Sequence, residues 1–205
     1  MHFYMRLNKL LGITMANPKL IEDFKYLRDH CINVVYAYYT YISLFNEENR
    51  DLLTKVASTF FSDIADIMQR DWILQTCKLM DPPSTVRKGV TLENISIKLI
   101  NEQLDAAGLL SPSIRVLADA LLLYGEKIKP ARDKRLAHFD REHQINGLVL
   151  GATTEQELDQ FLQNLQKYCD EAGIAIGLGP LAFGGGGCKG DVLDLLRVLR
   201  GSENA

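Results

Sequence analysis

Residues 112–140 read PSIRVLADALLLYGEKIKPARDKRLAHFD. Ser111 or Ser113, with Pro112, opens a helix here, because serine caps the free N–H groups of a first turn and proline needs no hydrogen bond there. Ile114, Leu117, Leu121, Tyr124 and Ile128 then follow in steps of three and four, which mark one apolar face of a helix. Pro130 falls inside the pattern. It removes the hydrogen bond to residue 126 and bends the helix. Lys127, Lys129, Arg132, Lys134 and Arg135 place five cations within nine positions, and His138, Phe139 and Asp140 follow. An amphipathic helix thus runs directly into the densest site-type chemistry of the chain.

The flanking sequence extends the helical reading. Asn17 and Pro18 open a long helix with Leu20, Phe24, Leu27, Cys31, Val34, Tyr38, Ile42 and Phe45 on one face. Tyr36, Tyr39 and Tyr41 fall partly off that face, where they widen the core stripe or form an interface. A polar break at residues 46–50 precedes a second long helix to about Met80, striped by Leu53, Val56, Phe60, Ile64, Ile67, Leu74 and Cys77. Asp71 stands where the stripe calls for an apolar residue, so a salt bridge is expected there, with Arg70 or a neighbouring helix. Asp81-Pro82-Pro83 stops this helix, and residues 82–91 read as a loop. A shorter helix is expected from about Leu92 to Ala107, ended by Gly108.

Beyond Asp140 the chain loosens. Leu148-Val149-Leu150 reads as a small strand or a packed loop. Thr154-Glu155-Gln156-Glu157 is a capping-box pattern ahead of a helix striped by Leu158, Phe161, Leu162, Leu165, Tyr168 and Cys169, ending near Gly173. Residues 173–190 are glycine-rich and read as a linker. Gly-Cys-Lys-Gly within them does not have the spacing of a phosphate-binding loop. A short helix from Val192 to Leu199 docks on the body or on a partner chain. The expected organisation is an N-terminal extension (1–17), an all-α antiparallel helical bundle (18–172), then a Gly-rich linker with a short C-terminal helix (173–205).

Composition narrows the function classes. The chain has 205 residues, 47% hydrophobic and 24% charged, with a net charge of −3. It is no polycation, so nucleic-acid contact must come from a local patch. Cys31, Cys77, Cys169 and Cys188 are far apart and form no CxxC pair, which fits free thiols in a reducing, cytoplasmic setting rather than a zinc site. No apolar run approaches the ~20 residues of a membrane span, so no membrane partner is expected. The first 14 residues lack an apolar core of signal-peptide type, and Met15 offers a second start.

Residue chemistry in the basic stretch fits cleavage of an RNA phosphodiester without metal or cofactor. A near-neutral imidazole at His138 can take the proton of a ribose 2′-OH or give one to the leaving 5′-oxygen. A guanidinium at Arg132 can hold the phosphate, while Lys127, Lys129, Lys134 and Arg135 add affinity for the backbone. Lys134 and Arg135 also favour neutral imidazole by like-charge repulsion. Six residues along a straight helix are about 600° of rotation and ~9 Å of rise, so Arg132 and His138 do not share a face. A symmetric dimer would supply two of each and meet that objection. The same basic patch also fits a solvated helix end, or a non-catalytic module that binds RNA or a partner protein. The tyrosines of the first helix also fit an assembly scaffold.

The nine residues Arg132-Asp133-Lys134-Arg135-Leu136-Ala137-His138-Phe139-Asp140 resemble the signature of HEPN domains: an arginine, a polar residue, and a histidine after a short spacer. The full form, with long helices ahead and Asp81-Pro82 ending the second, is similar to the HEPN branch of type U abortive-infection proteins, over roughly residues 18–170. The resemblance implies an all-α homodimer and, in active members, a metal-independent RNase that leaves a 2′,3′-cyclic phosphate. Arg132 and His138 would be the catalytic pair, with Asp133 orienting one of them. It implies a setting in phage defence or a toxin–antitoxin system, with an antitoxin or nucleotidyltransferase as partner. Some toxin members carry a tyrosine two residues after the histidine as the target of that transferase. This chain has Asp140 there.

Overall fold

The computed structural model describes residues 17–133, 152–184 and 188–202. Helix α1 spans Pro18–Leu44. The Asn17 side chain accepts the Lys19 amide at 3.0 Å, which caps the first turn. A single turn of tight helix at Glu47–Asn49 leads into α2, Arg50–Leu79. Trp72 Nε1 donates to the Val34 carbonyl and His30 Nε2 to that of Gln75, while Gln69 bonds the Tyr41 hydroxyl. Rising numbers on α1 meet falling numbers on α2, so the two form an antiparallel hairpin.

The apolar stripe of α2 behaves differently from its sequence pattern. Leu52, Leu53, Phe61, Cys77 and Leu79 are buried, whereas Val56, Phe60 and Ile67 are 42%, 58% and 57% exposed. Ala57 interrupts the helix with extended backbone at φ −165° and ψ 73°, so residues before and after it follow different phases. The expected salt bridge at Asp71 is also corrected. Arg70 pairs with Asp66, and among the described residues the exposed Asp71 accepts only a hydrogen bond from Gln75 at 2.9 Å.

Residues 82–91 are not simply a loop. β1 (Ser84–Arg87) and β2 (Val90–Glu93) pair antiparallel, with Ser84 opposite Glu93 and Arg87 opposite Val90. Lys88 and Gly89, at φ 52° and 78°, form the turn, whose twist matches that of the flanking strands. The next helix therefore begins later than the expected Leu92. α3 spans Ile97–Ala106, its first turn capped by Ser96 Oγ. Gly108, at φ 68°, lets the chain turn back so that the Leu109 amide reaches the Leu104 carbonyl.

α4 spans Pro112–Ala131, capped by Ser111 as its sequence requires. α5, Glu155–Ala175, opens with a complete Thr154–Glu157 capping box. The core gathers Phe24, Cys31, Ile100, Leu104, Leu121, Ile128, Phe161, Leu165 and Tyr168 from α1, α3, α4 and α5, with Cys77 and Leu79 from α2. Tyr124 and Phe161 stack at 4.4 Å between centroids. The architecture is the expected all-α bundle, with the small hairpin as its one sheet among the described residues.

After α5 the chain folds back along it. Gln166 accepts the Phe183 amide and donates to the Leu181 carbonyl, Asp170 accepts the Leu181 amide, and Phe183 is buried in the main core. Those residues of the glycine-rich stretch are therefore tethered. α6, Val192–Ser202, packs Leu196 against Leu44, Leu52, Leu53 and Phe61 in a second, smaller core. Among the described residues no helix is long and apolar enough to cross a membrane.

Candidate functional site

The site is built where the ends of α2 and α4 meet. Gly125 makes the approach of the two helices close. A Cβ there would lie 2.5 Å from Met80 Cγ, so α4 passes α2 at a distance that only glycine allows. Pro130 lies in the last turn of α4, where it supplies no amide. The Arg132 amide still closes the turn onto the Ile128 and Lys129 carbonyls. The arginine side chain consequently leaves the helix end toward the residue that terminates α2.

Arg132 donates from Nε to Asp133 Oδ1 at 2.7 Å and from Nη1 to Asp81 Oδ1 at 3.0 Å. Its side chain is 25% exposed. Burial acts to lower the guanidinium pKa, but its hydrogen bonds to Asp133 and Asp81 outweigh it and the pKa lies above the ordinary value. The group is therefore a permanent cation held in one orientation by two charge-assisted hydrogen bonds. Below it, burial pushes the Cys77 thiol up to about 11, with Arg132 pulling it partly back. Cys77 stays protonated and is no nucleophile at neutral pH.

A cavity of about 230 Å³ opens beside the guanidinium, walled by Cys77, Met80, Asp81, Pro82, Lys98, Gly125, Glu126, Lys129 and Arg132. Lys129 lies on this wall, 3.9 Å from Glu126. Lys127 points elsewhere. Its ammonium sits 2.6 Å from both carboxylate oxygens of Glu157 and clamps α4 to α5. Lys127 and the backbone and side chain of Thr154 hold the Glu157 pKa down at about 2.

Of the residues singled out from sequence, Arg132, Asp133 and Lys129 thus meet at one place and Lys127 is engaged in another. Lys134, Arg135 and His138 lie outside the described residues, as do Asp140 and Leu148-Val149-Leu150. Two members of the site escaped the sequence reading. Asp81 was visible only as part of a helix stop, although a carboxylate at a helix end is electrostatically out of place. Lys98 carried no signal beyond its charge. Among the described residues no three His, Cys, Asp or Glu side chains converge as a metal site.

Comparisons with curated proteins and with solved structures gave no match. Among family models, AbiU2, a HEPN-type family, matches residues 17–185. That span takes in the bundle from α1 to the tethered segment after α5, and leaves α6 outside. With most of its length inside the match, the Arg132–Asp81 pair included, the chain belongs to the HEPN-type AbiU2 family.

Proposed function

We propose that this chain is a metal-independent endoribonuclease acting as a homodimer in phage defence or a toxin–antitoxin system. The observation that carries the reading is Arg132, a partly buried cation fixed by Asp81 and Asp133 on the wall of a cleft that also holds Lys98 and Lys129. Such a group is preorganised to meet the charge that grows on a phosphate's non-bridging oxygens during in-line attack. In the reaction, the ribose 2′-oxygen bonds to phosphorus and the bond from phosphorus to the 5′-oxygen breaks. A 2′,3′-cyclic phosphate and a 5′-hydroxyl result. One imidazole takes the 2′ proton and a second gives a proton to the leaving oxygen, the roles assigned to the two His138 residues of a dimer.

Support for a dimer comes from α2. Phe60 and Ile67, seven residues apart on the same side of the break at Ala57, share one helical face and are exposed, and Val56 before the break is exposed as well. A stripe of that kind on a monomer is a surface suited to association. The test is RNA cleavage in EDTA by wild type, His138→Ala and Arg132→Ala, with analysis of the product ends. Cleavage by wild type alone, leaving cyclic phosphate, is the expected result. An active His138→Ala protein would sink the proposal.

A non-catalytic module that binds RNA or protein is the second reading. What favours it is that Arg132 already faces two carboxylates, so part of its charge is spent within the protein. That reading expects salt-dependent binding without product.

A further inference from the structure

We infer that Lys98 is a substrate-binding residue of this cleft, holding a non-bridging oxygen of an RNA backbone phosphate beside Arg132. The inference rests on the ribonuclease reading of the site and adds a residue to it from outside the basic stretch. Three cations wall the cavity: Arg132, Lys129 and Lys98. Arg132 is matched by Asp81 and Asp133, and Lys129 has Glu126 within 3.9 Å. Lys98 makes no hydrogen bond or ion pair among the described residues. It is the cleft's unmatched charge.

Its position is also locally unfavourable. Lys98 follows Ser96, the cap, and Ile97, so it stands in the first turn of α3, where the partial positive charge of the helix end repels a cation. No acidic residue in that turn offsets it. Lys129, by contrast, stands in the last turn of α4, where the dipole favours a cation. Ile97, Leu99 and Ile100 are buried on either side of Lys98, which is itself half-buried, so its stem is held rather than free to swing away. A cation kept without a partner, at the wrong end of a helix and on the wall of a cleft, is suited to an anion that arrives from outside. The geometry of the cleft places that anion next to Arg132, and the chemistry of both groups suits a phosphate.

Lys98→Met removes the charge and keeps the stem, and Lys98→Arg keeps the charge. Binding is read by fluorescence anisotropy on a single-stranded 2′-O-methyl RNA of mixed sequence, which lacks the attacking hydroxyl, over a range of salt. Cleavage of the unmodified RNA is followed separately. The expected result is a roughly tenfold weaker Kd for Lys98→Met. Its slope of log K against log salt should be shallower by about 0.7, one phosphate contact on a single strand. KM should rise accordingly and Lys98→Arg should stay near wild type. A Lys98→Met protein with the wild-type Kd and slope overturns the inference, and leaves the ribonuclease standing if wild type still cleaves. The expected binding loss without any cleavage by wild type supports Lys98 and removes the ribonuclease. No binding of this RNA by wild type, together with no cleavage of the unmodified RNA, overturns both.

Discussion

Arg132 Nη1 lies 3.0 Å from Asp81 Oδ1, so the first residue of the α2 stop and the first residue beyond α4 are joined across 51 positions of sequence. Both side chains are partly buried, at 25% and 34% exposed. The pair orients a guanidinium on a cleft wall while leaving it accessible. Asp81→Asn keeps the shape and one hydrogen bond but removes the charge. Since the pair is partly solvated, the stability loss should be about 1 kcal/mol or less. The loss of orientation should cost more in function. Cleavage is expected to fall roughly ten- to a hundredfold with the RNA Kd little changed. Urea midpoints beside single-turnover rates would check both, and an unchanged rate would show that Asp81 does not position Arg132.

Arg132→Lys keeps the positive charge and loses the fork. A lysine ammonium cannot span Asp81 and Asp133 and still present a planar donor to the cleft. The variant is expected to bind RNA with a near wild-type salt slope and to cleave roughly a hundredfold more slowly. Rates near wild type would mean that charge alone suffices at this position.

Gly125→Ala tests the close crossing of α4 and α2. The added methyl group would meet Met80 Cγ at 2.5 Å and Met80 Cβ at 3.1 Å, too close for the thioether end alone to relieve. Overpacking of this kind should cost about 1–3 kcal/mol. Gly125→Ala combined with Met80→Ala should recover part of the loss. Thermal unfolding of the single and double variants gives the comparison, and a Gly125→Ala protein as stable as wild type would contradict the packing.

Glu157 provides the pH-dependent prediction. Its pKa is lowered from 4.5 to about 2 in the folded protein, first by Lys127 and then by Thr154. The sign follows from linkage: a carboxylate with a depressed folded pKa adds stability above its ordinary value. That stability is lost as pH falls from 4.5 through about 2. Lys127→Ala should move the Glu157 carboxyl back toward the ordinary range, and its stability difference from wild type should shrink across the same window. Side-chain carboxyl NMR titration reads the first effect and urea midpoints against pH the second. A Glu157 pKa unmoved by Lys127→Ala would refute the clamp.

What could be read in the sequence was local. The caps at Asn17, Ser111 and Thr154–Glu157 depend on residues within a turn of one another, and each forms as its pattern requires. The helices of the bundle follow from periodicity in the same way. The hairpin at residues 84–93 was hard to read because each strand is only four residues long and exposed throughout, so the brief alternation of Val90-Thr91-Leu92-Glu93 marks no buried face. Arg132 could be picked out by type and setting. Asp81 and Lys98 could not, because tertiary packing brings them to the cleft from the end of one helix and the start of another. The α2 stripe shows the remaining limit. Periodicity reveals that a helix has an apolar face without revealing what covers it.

That stripe carries the last prediction. Val56, Phe60 and Ile67 would be core residues by their spacing, yet they face outward on α2. Large apolar side chains on a surface, such as Phe60 and Ile67 in one row beyond the break at Ala57, are costly to leave in water, at roughly 25 cal/mol per Å² of apolar area. A second copy of the chain would cover the row by two-fold symmetry, and would bring the second histidine that the proposed proton transfers require. Phe60→Glu places a charge in that row. Because Phe60 is 58% exposed, the monomer should keep its helical content and most of its stability. Sedimentation should show wild type as a dimer and Phe60→Glu as a monomer. Cleavage by the variant should be lost at enzyme concentrations where wild type is active and partly restored as concentration rises. A Phe60→Glu protein that sediments as wild type would exclude this face as the interface. A monomer that cleaves at the wild-type rate would mean that one copy holds a complete site.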